Sequence, residues 1–327
     1  MNKCPACGYQ DKRIHNIGKN INKILKSRSK STIRMLNKIA PLITSNIPSE
    51  DRYRYYQFLY GTKDVEDNVM EWAIETYYQS NYMNYGYWIK NNNNLYKANK
   101  NLCKEIFKKG ELDKVETILD VGCGYGEQDF YWKKKTNAKI NAIDINKKSI
   151  KKATKINSDE NIIFETGNAC KLNFDNESFD RVVNLESGFH YNPREEFLKE
   201  SYRVLKKGGK LVVADILYNE DNIDIFNVLN RNAFGKVFDI PECNKISVMK
   251  FKEQLKKIGY SVKIEDITDK TFKPYYNYFF NNIECPDNFI LPRWLFNIMR
   301  ISCGFYINTI CDGTNGFKYI IAVCEKK

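Results

Sequence analysis

Ile118-Leu119-Asp120-Val121-Gly122-Cys123-Gly124-Tyr125-Gly126 is the stretch that decides the fold. An apolar run suited to a buried strand carries Asp120 and then gives way to three glycines at alternate positions. There the backbone must turn sharply and pass within contact distance of a ligand, which only residues lacking Cβ allow. The dinucleotide fingerprint asks for Gly-x-Gly-x-x-Gly, and its third glycine position is Glu127 here, so that pattern fails. The stretch reads as a nucleoside-cofactor loop with no pyrophosphate to hold. A glycine-rich turn that closes a strand for structural reasons alone is the competing reading.

Working outward, residues 139–145 read as a second strand that carries Asp144, 20 residues after Gly124, where an acidic side chain can accept both hydroxyls of a ribose. Residues 147–157 are expected to be helical, and 162–165 form a short third strand running into Gly167, Asn168 and Ala169. A fourth strand, 179–185, leads to Glu186-Ser187-Gly188-Phe189-His190. Phe197, Leu198, Tyr202 and Leu205 recur at helical spacing over 195–205. A fifth strand, 210–214, closes on Asp215, followed by a helix at 247–258 and strands at 260–267 and 317–324. Strands alternating with helices argue for a parallel sheet covered on both faces.

Asp120-x-Gly122-x-Gly124-x-Gly126, the Gly167-Asn168-Ala169 turn and Arg203-Val204-Leu205-Lys206-Lys207-Gly208-Gly209-Lys210-Leu211 together resemble the motifs of the class I S-adenosylmethionine (SAM) methyltransferases of small-molecule type. Asn84-Tyr85-Gly86-Tyr87-Trp88 resembles the segment that precedes the glycine loop in tocopherol, sterol and rebeccamycin-type members. The resemblance covers residues 75–267 and the end strand. It implies an α/β fold, a doubly wound, seven-stranded, mostly parallel sheet of Rossmann-like methyltransferase type whose final strand is antiparallel. It also implies S-adenosyl-L-methionine as cofactor. Gly122, Cys123 and Gly124 would approach its methionine and ribose parts, with Asp120 tying the loop in place. Asp144 and Ile145 would meet the ribose side, Asn168 and Ala169 the adenine, and Leu185 the end of the fourth strand. Tyr85 and Tyr87 could reach the methionyl end through their hydroxyls, against the alternative of an ordinary aromatic turn packed on the sheet. Asn168 departs from the family's usual Asp: its carbonyl still accepts one hydrogen bond, without the charge-assisted contact. Lys207 replaces the family's proline.

Methyl transfer from a sulfonium is an in-line displacement in which orientation and dryness matter most. A hydroxyl acceptor must also lose a proton, so a base with a pKa near neutrality is useful. The chain has two histidines. His190 after the fourth strand and Asp215 after the fifth would share one crevice, with Asp215 orienting the imidazole as in some relatives. Glu186 is the competing base and Tyr191 a weaker one. In the bland alternative His190 merely caps the following helix. The family often has a second His where Phe189 stands, which leaves two positions open for the base. With an amine or electron-rich carbon as acceptor, His190 becomes a positioning residue.

At 327 residues the chain can bury a full core. The expected division is a basic, mainly helical extension over 1–75 and a methyltransferase domain over 76–327, with an aromatic lid insertion at 268–314 above the acceptor and 221–240 as a second wall. The net charge of +12 is concentrated at the front: residues 1–40 hold ten Lys or Arg against Asp11 alone. Ile14, Ile17, Ile21 and Ile24 make a basic amphipathic helix there, either packed on its own domain or resting on anionic lipid, an acidic partner or nucleic acid. Cys4 and Cys7 form one zinc knuckle without a second pair, so no metal is expected beyond this weak candidate. No secretory pattern opens the sequence, no stretch is suited to span a bilayer, and ten cysteines without a framework fit a cytoplasmic, reduced protein. The resulting expectation is a SAM-dependent enzyme that methylates a small, partly apolar acceptor of natural-product or lipid type, with O-methylation favoured. A nucleic-acid methyltransferase is the rival. Against it, Asn184-Leu185-Glu186-Ser187 lacks the Asn/Asp-Pro-Pro-Tyr/Phe pattern of amino-base methylases. A non-catalytic SAM-binding module is the second rival.

Overall fold

The computed structural model describes residues 81–90, 94–219, 240–282 and 316–327. The basic extension with Cys4 and Cys7, the wall at 221–239 and the lid beyond residue 282 lie outside the described residues. Helix α1 (Leu95–Gly110) leads into strand β1 (Thr117–Val121), helix α2 (Glu127–Lys133) and β2 (Lys139–Asp144). Helix α3 (Lys147–Ile156) then precedes β3 (Ile162–Thr166) and β4 (Phe179–Leu185). Helix α4 (Arg194–Val204) runs into the long β5 (Leu205–Tyr218). Helix α5 (Val248–Ile258), β6 (Tyr260–Asp266), α6 (Phe272–Asn282) and β7 (Phe317–Lys326) complete the order.

The strands form one seven-stranded sheet in the order β3-β2-β1-β4-β5-β7-β6. The β1–β5 neighbours are parallel, and β7 runs antiparallel between β5 and β6. The doubly wound reading of the sequence is therefore the observed one, and the chain order reverses beside β1, so that the carboxyl ends of β1 and β4 open onto one crevice.

Alternation within β1 shows how the core is divided. Ile118 joins Leu102, Ile106 and Trp132 beneath α1 and α2, while Leu119 and Val121 join Phe197, Leu198 and Phe251 beneath α4 and α5. Each such side chain contributes about 1.5–3 kcal/mol by leaving water. Asp120 shares the face of Ile118 and is therefore carried into the core as a polar residue with no exposure. Helix starts follow local chemistry: the Asn94 side chain accepts from Lys97 N at α1, and the Asn146 side chain from Lys148 N and Ser149 N at α3. The Lys206–Gly209 turn departs from expectation by belonging to β5, with a register shift between Phe179 and Arg181 that lets the extra residues bulge.

Candidate active site

The glycine loop is clamped from three sides. Gly122 N and Cys123 N both donate to Ile143 O of the neighbouring strand, at 2.8 and 3.0 Å. Gly124 N donates to Asp144 Oδ2 at 2.9 Å, and Asn146 N to Asp144 Oδ1 at 2.8 Å. From α2, Gln128 Nε2 donates to Asp120 Oδ2 and to Cys123 O, both at 2.9 Å. Asp120 thus reaches the loop through Gln128, which explains why a fully buried acid belongs to this motif.

Gly122 has φ +81°, and a Cβ there would lie 2.1 Å from Ser187 Oγ. The space is filled by a polar network: Asn184 Nδ2 donates to Val121 O, Ser187 Oγ and Tyr191 Oη at 2.7–2.9 Å. Gly124 differs, since among the described residues a Cβ there would meet only Met83 Sδ, at 3.3 Å. One side of the loop is locked to β4 and the other is open.

At the end of β4, Glu186 adopts a left-handed conformation with φ +57°, a strained state for a residue with a Cβ that is found preferentially at functional positions. Its backbone N donates to Ala214 O at 2.7 Å. Tyr319 Oη donates to Glu186 Oε2 at 2.6 Å, and Tyr85 N to the same oxygen at 2.9 Å. Oε1 has no protein donor among the described residues. Burial pushes this carboxyl up to about 8, against the pull of the two hydrogen bonds. The residue as a whole is half-buried.

Asp215 stands at the corresponding level of β5 but faces a cation. Its Oδ2 is 2.8 Å from Arg194 Nη1, with 0% and 1% of the two side chains exposed. Its Oδ1 accepts from Phe189 N at 3.2 Å and Ile216 N at 2.9 Å. The expected pairing of Asp215 with His190 is therefore corrected. The guanidinium on α4 outcompetes an imidazole because it is permanently charged and presents its donors in a fixed fork. Burial nevertheless raises the Asp215 carboxyl above its ordinary range, with Arg194 opposing. What Asp215 holds is the turn itself, through Phe189 N. His190 ends the short 3₁₀ helix Gly188–His190, half-buried, with its ring 4.1 Å from that of Phe189.

Tyr85 and Tyr87 are both tied to the segment that follows β6. Tyr85 Oη meets Tyr276 Oη at 3.2 Å, and Tyr87 Oη accepts from Lys270 Nζ at 2.7 Å. Both hydroxyls are engaged by the segment after β6, and the Tyr85 amide is the group turned to Glu186. Asn168 is exposed with Oδ1 accepting from Cys170 N, Ile145 is 74% exposed, and Ala169 and Leu185 are buried. Sequence reasoning missed Arg194, Gln128 and Tyr319. Only Gln128 carried a signal, lying eight residues beyond Asp120 just after a glycine that starts a helix.

Residues 119–213 match the family described as Methyltransferase domain. Over 213 residues the chain is 30% identical to erythromycin 3''-O-methyltransferase of Saccharopolyspora erythraea, a match covering 62% of this chain and 70% of that enzyme. The chain belongs to the class I small-molecule SAM methyltransferases. This methyltransferase is also 30% identical over 139 residues to 27-O-demethylrifamycin SV methyltransferase of Amycolatopsis mediterranei, covering 41% of this chain and 51%, about half, of that enzyme's length. Phosphoethanolamine N-methyltransferase 2 of Haemonchus contortus, solved with S-adenosyl-L-methionine, shares the fold with a TM-score of 0.64 at 14% identity, over 83% of this chain and 60% of that one. The cofactor of the methyltransferase is S-adenosyl-L-methionine. The residues around the glycine loop fit a nucleoside: an open loop side at Gly124, a half-buried acid at Asp144 and an apolar Ile145 left exposed beside it. No helix among the described residues is long and apolar enough to cross a membrane.

Proposed function

We propose that this methyltransferase methylates a hydroxyl of a small, partly apolar acceptor of natural-product or lipid type, and that Glu186 takes the hydroxyl proton. The observation that carries the reading is the Glu186 carboxyl, held through one oxygen by Tyr319 and Tyr85, with the other oxygen free of donors among the described residues and a pKa about 8. A base poised near neutrality combines adequate ionisation with adequate proton affinity. The two relatives above are named for O-methylation, which supports oxygen as the acceptor atom.

Bound SAM supplies a methyl carbon made electrophilic by its sulfonium. Gly122, Cys123 and Gly124 would hold its methionyl and ribose parts, Asp144 the ribose hydroxyls, and Ile145, Asn168 and Ala169 the adenine. Glu186 and His190, on one turn, would orient the acceptor, with Asp215 and Arg194 as the internal brace of that turn. The Tyr85 amide would keep the Glu186 carboxyl in place during proton transfer. The two rivals, a nucleic-acid acceptor and a non-catalytic module, are not favoured for a member of a small-molecule enzyme family.

The test is incubation of the full chain with methyl-labelled SAM and a panel of apolar hydroxylated acceptors, followed by assignment of the new methyl by NMR. An O-methyl product is expected. A product carrying the label on nitrogen or carbon contradicts the reading.

A further inference from the structure

Beneath the cofactor loop two carboxyls meet with no cation between them. Asp120 lies on β1 and Asp129 in the first turn of α2, and both have 0% exposure. Asp120 Oδ2 receives the Gln128 amide, but Asp120 Oδ1 and both Asp129 oxygens find no donor from another residue. The two carboxyls are in hydrogen-bonding contact with each other. Two carboxylates cannot make that contact, since each offers only acceptors, whereas a carboxylic acid and a carboxylate can.

Among the described residues no positive charge faces the pair. Cys103 faces the pair from α1, Cys123 from the loop and Asp144 from β2. All are neutral or anionic, and none of the ion pairs among the described residues involves Asp120 or Asp129. Two unpaired anions at this depth would cost far more than retaining one proton.

We infer that Asp120 and Asp129 share a single proton, and that this proton holds the cofactor loop in its binding shape, making Asp129 a positioning residue for SAM. Gln128 transmits the effect, because the same Nε2 that binds Asp120 also fixes Cys123 O. Loss of the proton sets two buried anions against each other, pushes Asp120 away from Gln128 and releases the Cys123 carbonyl. Burial and mutual repulsion raise proton affinity in the folded state, so loop order is present at lower pH and is lost as pH rises through the folded pKa of the pair. The inference rests on the reading that the Gly122–Gly124 loop receives the cofactor.

The experiment is calorimetric titration of the full chain with S-adenosylhomocysteine at about pH 6 and about pH 8.5, in two buffers of different ionisation heat. The wild type is expected to lose about tenfold in affinity over that range, with proton uptake on binding at the higher pH. Asp129→Asn, whose amide supplies the bridging hydrogen permanently, is expected to bind equally at both pH values. Equal wild-type affinity at both pH values overturns the proposal, as does an unchanged pH dependence in Asp129→Asn. If Asp129→Asn does not fold by circular dichroism, the wild-type proton uptake decides alone: uptake supports the shared proton and its absence overturns it. Absence of binding at about pH 6 in well-folded wild type overturns the loop reading itself, and this proposal with it.

Discussion

Glu186 directly follows the carboxyl end of β4 and Asp215 stands at the same level of the adjacent β5, and burial raises both carboxyls above their ordinary range. They differ in what faces them. Asp215 meets a fully buried guanidinium and two amides, so its charge is compensated within the fold and neither oxygen remains for a ligand. Among the described residues Glu186 meets only a phenol and one amide, both on the same oxygen, in a strained left-handed backbone. Depth in the structure therefore does not identify the working acid. Partner type separates them: a cation turns a buried carboxylate into a brace, while neutral donors leave it free to act as the proposed proton acceptor.

The contrast is open to direct challenge. Glu186→Gln should lower turnover by about 10²–10⁴-fold with S-adenosylhomocysteine affinity nearly intact, checked by steady-state kinetics and calorimetry. Asp215→Ala should do the reverse, removing about 3–5 kcal/mol of stability in urea unfolding because Arg194 is left buried and uncompensated. Comparable loss of stability in both variants would erase the distinction. The raised Glu186 pKa adds a signed effect: its folded state favours the proton, so that its contribution to stability is lost as pH rises through about 8. Glu186→Gln should accordingly gain on the wild type in thermal unfolding at alkaline pH.

The two sides of the glycine loop extend the comparison. Gly122→Ala forces a Cβ into Ser187 at positive φ and should cost about 1–3 kcal/mol. Gly124→Ala meets only Met83 and should lose less stability than cofactor affinity. His190→Ala should have the smallest effect, under about tenfold in turnover, because its proposed role is orientation and not proton transfer.

Much of this architecture was readable beforehand for identifiable reasons. β1, β2 and β4 announce themselves as apolar runs ending in Asp120, Asp144 and Glu186, and the glycines and the 20-residue step to Asp144 carry local backbone demands that a single sequence exposes. The brace was not readable. Arg194 opens a helix with charged neighbours Glu195 and Glu196 and looks like a solvated residue, yet it is 1% exposed because Asp215, 21 residues away, is waiting beneath it. Asp129 hides in the same way, as an acid in the first turn of a helix where acids are ordinary. The left-handed turn at Glu186 has no sequence signature, since Gly or Asn would be the expected residue there. Tyr319 reaches the site from β7, 133 residues away, which local pattern cannot foresee.

The dependence of kcat/KM on pH, measured for the wild type and Glu186→Gln with the proposed hydroxyl acceptor, bears most directly on the proposal that Glu186 is the base. The wild-type value should climb with pH and level off above about 8, and the variant should be low and flat. A wild-type profile already flat across that range, or the same rise in the variant, would contradict it.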